Sequence, residues 1–219
     1  MQRSRFDLDA ALLAMPLFPL SQAALFPRAQ LPLHVFEARY RKMLADCIQQ
    51  HGIMAIVMVP DPADLIDPRG HPRLARVAGV GFVKEVARLP DGRSDIVLEG
   101  LARVSLEELP FEIPYRRARA TLLETRASRV TQNDSAALVA AATAFVTEMR
   151  RREADVAFEL PEGLAAGQLA DVCAHYLMID GEARQSVLEE LDDAARVSLV
   201  TRELAMQHAS LTGGSRISN

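Results

Sequence analysis

The sequence predicts an α+β protein of two lobes. A β-rich lobe over residues 14–123 closes as a small barrel with one early helix. An α-helical lobe over 134–208 follows, then a disordered tail, 209–219. Three observations predict this. Leu89–Leu109 opens on a Pro-Asp-Gly turn and then alternates apolar and polar residues with period two. The stretches before it are short apolar runs punctuated by proline and glycine. Beyond Asp134 apolar residues recur at helical spacing almost to the end of the chain.

The hairpin is the strongest element. Pro90 supplies the fixed φ of a type I turn, Asp91 suits the next position, and Gly92 can take the left-handed conformation that closes it. Along the strand that follows, Ile96, Leu98, Ala102, Val104 and Leu106 share one face. Asp95, Glu99, Arg103, Ser105 and Glu107 share the other with Val97 and Leu101. The parity is the same on both sides of Gly100, so Gly100 reads as a bend without net slip, as at a barrel corner. A long strand that bends can serve two parts of a closed sheet.

Residues before Ala14 read as a frayed or short helical lead-in. Met15–Leu20 is an apolar strand with two prolines, placed by their missing donors at an edge or a barrel seam. Leu31, Leu33 and Val35 alternate with Pro32, His34 and Phe36 in a second strand. Glu37–His51 is a helix whose apolar face takes Phe36, Tyr40, Met43, Leu44, Cys47 and His51, with Gly52 as its stop. Ile53–Val59 is uninterruptedly apolar, as for a strand buried on both faces. Pro60–Pro72 is a loop. Val77–Leu89 is a strand in which Gly79 and Gly81 signal bending or close backbone approach. After a turn at Pro110–Pro114, Tyr115–Leu123 closes the β-rich lobe. The helical lobe has Ser135–Arg152, with Leu138, Phe145 and Met149 inward. Gln168–Ile179 follows, with Leu169, Val172, Cys173, Tyr176 and Leu177 on one face. Then come Glu182–Leu191 and a last helix capped by Asp192 or Asp193.

Composition excludes several classes. Apolar residues make up 49% of 219, enough for a sizeable core. A net charge of −4 gives no global pull toward nucleic acid or anionic membrane. Cys47 and Cys173 cannot form a disulfide framework and read as reduced thiols of a cytoplasmic protein. Asp7 and Asp9 interrupt the N-terminal apolar stretch, so no signal peptide is expected, and no run approaches a membrane span.

The residues LPDG followed by VLEGLARVSLEEL resemble the central hairpin of the Lon protease N-terminal, substrate-binding domain. MPLFPL with LFPRAQLPLHVFEARYRKML resembles that family's opening strands and first helix. LADVCAHYLMIDGEARQSVLEELDDAARVSLVTREL resembles its closing helices, so the likeness covers roughly 15–206. It implies a PUA-like pseudo-barrel followed by a helical bundle. It also implies recognition of extended polypeptide segments or a protein partner, without catalysis or cofactor. The chain ends where the ATPase and protease modules would begin, and so resembles the stand-alone bacterial form.

The residues agree with a non-catalytic reading. Only Lys42 and Lys84 are lysines, and neither stands in a Gly-Lys-Ser/Thr loop, so no ATPase is expected. Neither is expected to pair with a catalytic serine; each is a solvated side chain. Cys47 and His51 are four apart on one helix face but have no further metal ligands at useful spacing. Cys173 and His175 point apart. Asp61, Asp64 and Asp67 lack the calcium-loop pattern and read as a solvated loop. Tyr115-Arg116-Arg117-Ala118-Arg119 and Arg150–Arg152 are the two basic patches. They support RNA binding by a PUA-like fold as the alternative function, against which stand the acidic net charge and the absence of interleaved aromatics.

Partner binding is expected at Leu25, Phe26 and Pro27, in the apolar loop Ala23–Pro32 between proline-bounded strands, with Phe111 from a second loop. A partner segment would dock there, along a groove between the lobes. Two readings of the loop stand side by side: a hydrophobic contact surface for an extended chain, or a plug for the end of the barrel.

Overall fold

The computed structural model describes residues 5–61, 72–111, 114–153 and 156–214. The proline loop's Asp64 and Asp67 lie outside these. The chain divides into two compact units, Met1–Leu123 and Glu124–Asn219.

In the first unit, helix α1 (Arg5–Leu13) precedes strands β1 (Met15–Ser21) and β2 (Gln30–Val35). Helix α2 (Ala38–Gln49) follows, then β3 (Ile53–Val59), β4 (Val77–Arg88), β5 (Ser94–Glu108) and β6 (Arg117–Leu123). The sheet order is β2-β5-β4-β3-β1-β6, and β6 also pairs with β5. The pairings therefore run β5-β4-β3-β1-β6 and back to β5, a closed ring, with β2 outside it on the first half of β5. One strand serves both because it is 15 residues long. Its first half pairs with β2 through Ser94–Glu99, and its second half pairs with β6 through Arg103–Glu108.

The two halves serve separate cores. Ile96 and Leu98 pack with Phe18, Leu25, Val35, Tyr40, Met43, Met54 and Val83. Val104, with Ala102 and Leu106, packs with Met15, Leu17, Ala55, Val57, Val80 and Ala118. Strand β3 is buried at every position because its alternate faces enter both clusters. The turn is as its residues dictate: Gly92 has φ 83°, its N–H donates to the Leu89 carbonyl at 3.0 Å, and Arg93 N donates to Asp91 Oδ1 at 3.0 Å.

Gly100 corrects the sequence reading. The register slips beside it: Val80 faces Ala102 and Gly81 faces Gly100, so Leu101 is passed over. A second irregularity between Val83 and Glu85 passes over Lys84 on the other strand and restores the register. The slip at Leu101 turns the later residues of β5 to the other face of the sheet, so its even-numbered residues enter one core before the slip and the other core after it, which is why the sequence looks unslipped. Arg103, assigned to the polar face, is instead 2% exposed and lies over the Phe26 ring at 5.7 Å. Phe36, assigned to the buried face of the helix, precedes α2 and is 59% exposed.

In the second unit, α3 (Gln132–Arg152) starts at a capping box between Thr131 and Asp134. Helices α4 (Ala166–Leu177), α5 (Gly181–Glu189) and α6 (Asp193–Gly214) follow. Asp180 caps α5 by accepting from Ala183 N at 2.7 Å, and Asp192 accepts from Ala195 N at 3.0 Å at the head of α6. The face Leu169, Val172, Cys173 and Leu177 is buried, but Tyr176 is half-exposed beside Phe158. Helix α6 continues past residue 208 to Gly214, where the sequence suggested a disordered tail. Arg152 donates to the Leu211 carbonyl of that extension. A buried ion pair, Arg196 Nε to Asp171 Oδ1 at 2.9 Å, joins α6 to α4. Arg196 also contacts Asp193 Oδ1 and donates to the Glu190 carbonyl at 2.9 Å. The Asp171 contact is an ion pair rather than an aligned hydrogen bond, since Nε itself lacks a well-directed acceptor.

Candidate functional site

The loop between β1 and β2 decides the first question about the site. Leu25 and Phe26 are both 0% exposed. The loop backbone lies directly on the sheet, where side chains would have stopped it. A Cβ on Gly79 would sit 1.7 Å from the Leu25 carbonyl oxygen, and one on Gly100 would sit 2.0 Å from that of Phe26. Arg28 N donates to the Gly100 carbonyl at 2.9 Å, and Gly100 N donates to that of Ala29 at 2.8 Å. The turn that allows this carries Gln22 at φ 55° and Arg28 at φ 70°. As a contact surface, then, Leu25 and Phe26 are corrected: their side chains plug the sheet because three glycines open a bed for them. Pro27 is half-buried, and Phe111 is 54% exposed.

The accessible apolar surface of this unit lies beside the plug. A small cavity of about 30 Å³ is lined by Pro19, Tyr40, Phe111, Pro114, Tyr115 and Arg116 among others. Pro19 and Tyr40 also line a cavity of about 250 Å³ with Phe18, Leu20, Leu33 and Phe36. Leu33 and His34 continue into a third, about 480 Å³, with Pro32, Val86, Asp95 and Val97. The three adjoin one another through these shared wall residues and are together called the trough. Its floor is rigid at the α2 end: the Phe18 and Tyr40 rings are 4.5 Å apart, and Arg39 lies 4.6 Å over Tyr40 while paired to Glu37 at 2.8 Å. Tyr115 donates to Asp46 Oδ2 at 2.9 Å. Burial first, and then this bond, push the Tyr115 phenol up to about 12. Burial also raises Tyr40, partly offset by Arg39. Lys42, at 2.5 Å, is the main cause of a lowered Asp46 carboxyl. These phenols stay protonated at neutral pH and serve as walls and donors rather than as bases.

The remaining candidates have structural roles. Cys47 donates to the Ile53 carbonyl at 3.3 Å, and Ile53 N donates to His51 Nδ1 at 3.0 Å. Cys173 is buried, and its thiol is pushed up to about 12 by that burial. Among the described residues no cluster of three or more metal-ligating side chains occurs. Arg116 makes a forked pair with Glu108, at 2.8 and 2.6 Å, and donates to the Pro72 carbonyl at 2.5 Å. Arg119 lies 3.8 Å from Glu107. Arg150 holds the Val156 and Phe158 carbonyls, while Arg151 and Arg152 pair with Glu148 at 3.1 and 2.9 Å. Both basic patches are thus matched by acceptors of their own unit.

Comparison with known proteins decides the family. Residues 14–206 match the model of the ATP-dependent protease La (LON) substrate-binding domain. The chain belongs to this family. Among Lon relatives, the Lon protease of Roseiflexus castenholzii is 29% identical over 210 residues, covering 92% of this chain and 25% of that protein. Lon protease 2 of Myxococcus xanthus is 27% identical over 206 residues, with 93% and 25% covered. The chain spans about a quarter of the length of the curated relatives it matches. Among solved structures, the N terminal domain of Mycobacterium avium complex Lon protease superposes with a TM-score of 0.65 at 14% identity, covering 88% and 98%. A Lon N-terminal domain protein from Xanthomonas campestris gives 0.62 at 19%, covering 86% and 97%. At these identities the likeness is one of fold. Among the described residues no helix is long and apolar enough to cross a membrane.

Within this Lon-type domain, the sequence reading missed Phe36, His34, Val86 and Val97 as trough residues. A signal existed for two of them, since His34 and Phe36 fall on the strand parity opposite Leu31, Leu33 and Val35. The trough itself had none, because its walls come from strands distant in sequence.

Proposed function

We propose that this chain is a non-catalytic recognition module for extended polypeptide segments or a protein partner, and that the trough is where they dock. The observation that carries the reading is the run of adjoining, largely apolar cavities with Phe36 and Phe111 exposed on a scaffold of the Lon substrate-binding family. Exposed aromatics beside rigid pockets suit apolar side chains of a partner. Phe111 keeps its place in this proposal, and Pro27, half-buried, is retained as a candidate, whereas Leu25 and Phe26 act from beneath.

The test is the double change Phe36→Ser with Phe111→Ser. Both side chains are more than half exposed, so melting should move little. Binding to a reduced, carboxymethylated unfolded protein should weaken by about 2 kcal/mol or more if the pair is a hot spot. Unchanged binding with unchanged melting would remove the trough from the proposal.

A further inference from the structure

The trough runs between two open strand edges. Among the described residues, strand β2 ends the sheet and pairs with β5 alone, and strand β1 leaves β6 after Pro16 and thereafter pairs with β3 alone. The central cavity lies between Phe18–Ser21 of β1 and Leu33–His34 of β2. A gap flanked by two free edges ordinarily invites a partner strand.

Both edges carry proline where that strand would need a donor. The Ala29 carbonyl accepts from Gly100 N, toward β5. The antiparallel alternation then turns Leu31, Leu33 and Val35 to β5, and Pro32 and His34 to the open side. On β1, Leu17 N donates to the Arg116 carbonyl on the β6 side, so Pro19, two residues on, also turns to the gap. Pro19 and Pro32 offer carbonyls there and no N–H. Each edge therefore keeps its acceptors but lacks a donor at its proline, which interrupts the ladder an added strand would need.

Charge at the β2 end agrees with this chemistry. Its walls hold Glu85, Asp95 and His34 beside Pro32, Leu33, Val86 and Val97, with neither lysine nor arginine among the lining residues. His34 Nδ1 lies 2.6 Å from Asp95 Oδ1, and Arg93, itself paired to Asp91 at 2.6 Å, reaches His34 Nε2 at 3.4 Å. Ammonium and guanidinium groups are pure donors, and carboxylates and carbonyls accept from them.

We propose that the trough binds an extended segment by side-chain insertion rather than strand addition, and that its β2 end selects lysine or arginine alternating with apolar side chains. This rests on the polypeptide-binding reading above. The probes are a fluorescein-labelled peptide alternating leucine with arginine and its leucine–glutamate counterpart. Two further leucine–arginine peptides are N-methylated on alternate residues, one in each register, so that either edge is tested. Carboxymethylated unfolded protein is measured alongside.

The leucine–arginine peptide should bind at least about tenfold tighter than the leucine–glutamate peptide. Both N-methylated forms should stay within roughly threefold of the parent. Glu85→Gln with Asp95→Asn should remove most of the preference for arginine. Loss of binding on N-methylation in either register would establish a backbone ladder and overturn the mode. Equal binding of the two charge forms would overturn the selection. If the unfolded protein binds while the leucine–arginine peptide does not, this inference alone fails; if neither binds, the function proposed above fails with it.

Discussion

Replacing Phe26 with alanine measures whether the β1–β2 loop holds the sheet together or faces a partner. The ring is 0% exposed, and Arg103, 2% exposed, lies over it at 5.7 Å. Truncating a buried phenylalanine costs about 3–5 kcal/mol through lost transfer energy and the cavity left behind. Loss of the ring from beneath a desolvated guanidinium adds to this. At about 4 °C per kcal/mol, where the ranges for smaller and larger domains meet, the first unit should melt about 12–20 °C lower. Differential scanning calorimetry of Phe26→Ala against the parent and Phe36→Ala reads this directly. The Phe36 side chain is 59% exposed, and its loss should change stability by no more than about 0.5 kcal/mol. An independent perturbation reaches the same contact from the sheet. Gly100→Ala places a Cβ 2.0 Å from the Phe26 carbonyl oxygen, so the loop backbone must retreat by more than an ångström. Overpacking of this kind costs typically about 1–3 kcal/mol. A Phe26→Ala protein that melts with the parent, or a Gly100→Ala protein of unchanged stability, would refute the plug.

Two further outcomes follow from other buried polar contacts. The Tyr115 phenol is higher in the folded state, at about 12, than its ordinary value of 10, so its contribution is full below pH 10 and is lost as pH rises toward 12. Tyr115→Phe should reduce the alkaline loss of stability over that window and cost about 1.5–3 kcal/mol at neutral pH, the range for a bond to a carboxylate; urea titrations at several pH values check both, and an unchanged alkaline slope would exclude Tyr115 as its source. In the second unit, Arg196→Met leaves Asp171, 5% exposed, without its cation and should cost about 3–5 kcal/mol, while adding Asp171→Leu should recover much of that; chemical unfolding of the three proteins tests it, and a single mutant as stable as the parent would show the pair to be dispensable.

Local chemistry made much of the fold legible in the sequence. The Pro-Asp-Gly turn, the apolar run of β3, an aspartate cap at 192 or 193 and the buried face Leu169, Val172, Cys173 and Leu177 depend on neighbours within a few residues, which period and turn chemistry report. Gly79 and Gly81 were legible as points of bending or close approach, but neither which of the two nor what approaches them. The errors share one cause. Leu25 and Phe26 are apolar whether they plug a sheet or greet a partner, and only the arrival of Gly79, Gly81 and Gly100 beneath them decides which. Arg103 follows the polar parity, yet the slip at Leu101 turns it inward, over the Phe26 ring. The prolines announced a seam. That Pro19 and Pro32 turn their missing donors toward the same gap follows from strand order and register, which bring together residues far apart in the chain. Sequence determines what each segment can be, because propensity and periodicity act over a few residues. Tertiary structure alone decides which segments meet, because burial and pairing are properties of neighbours the chain brings from a distance.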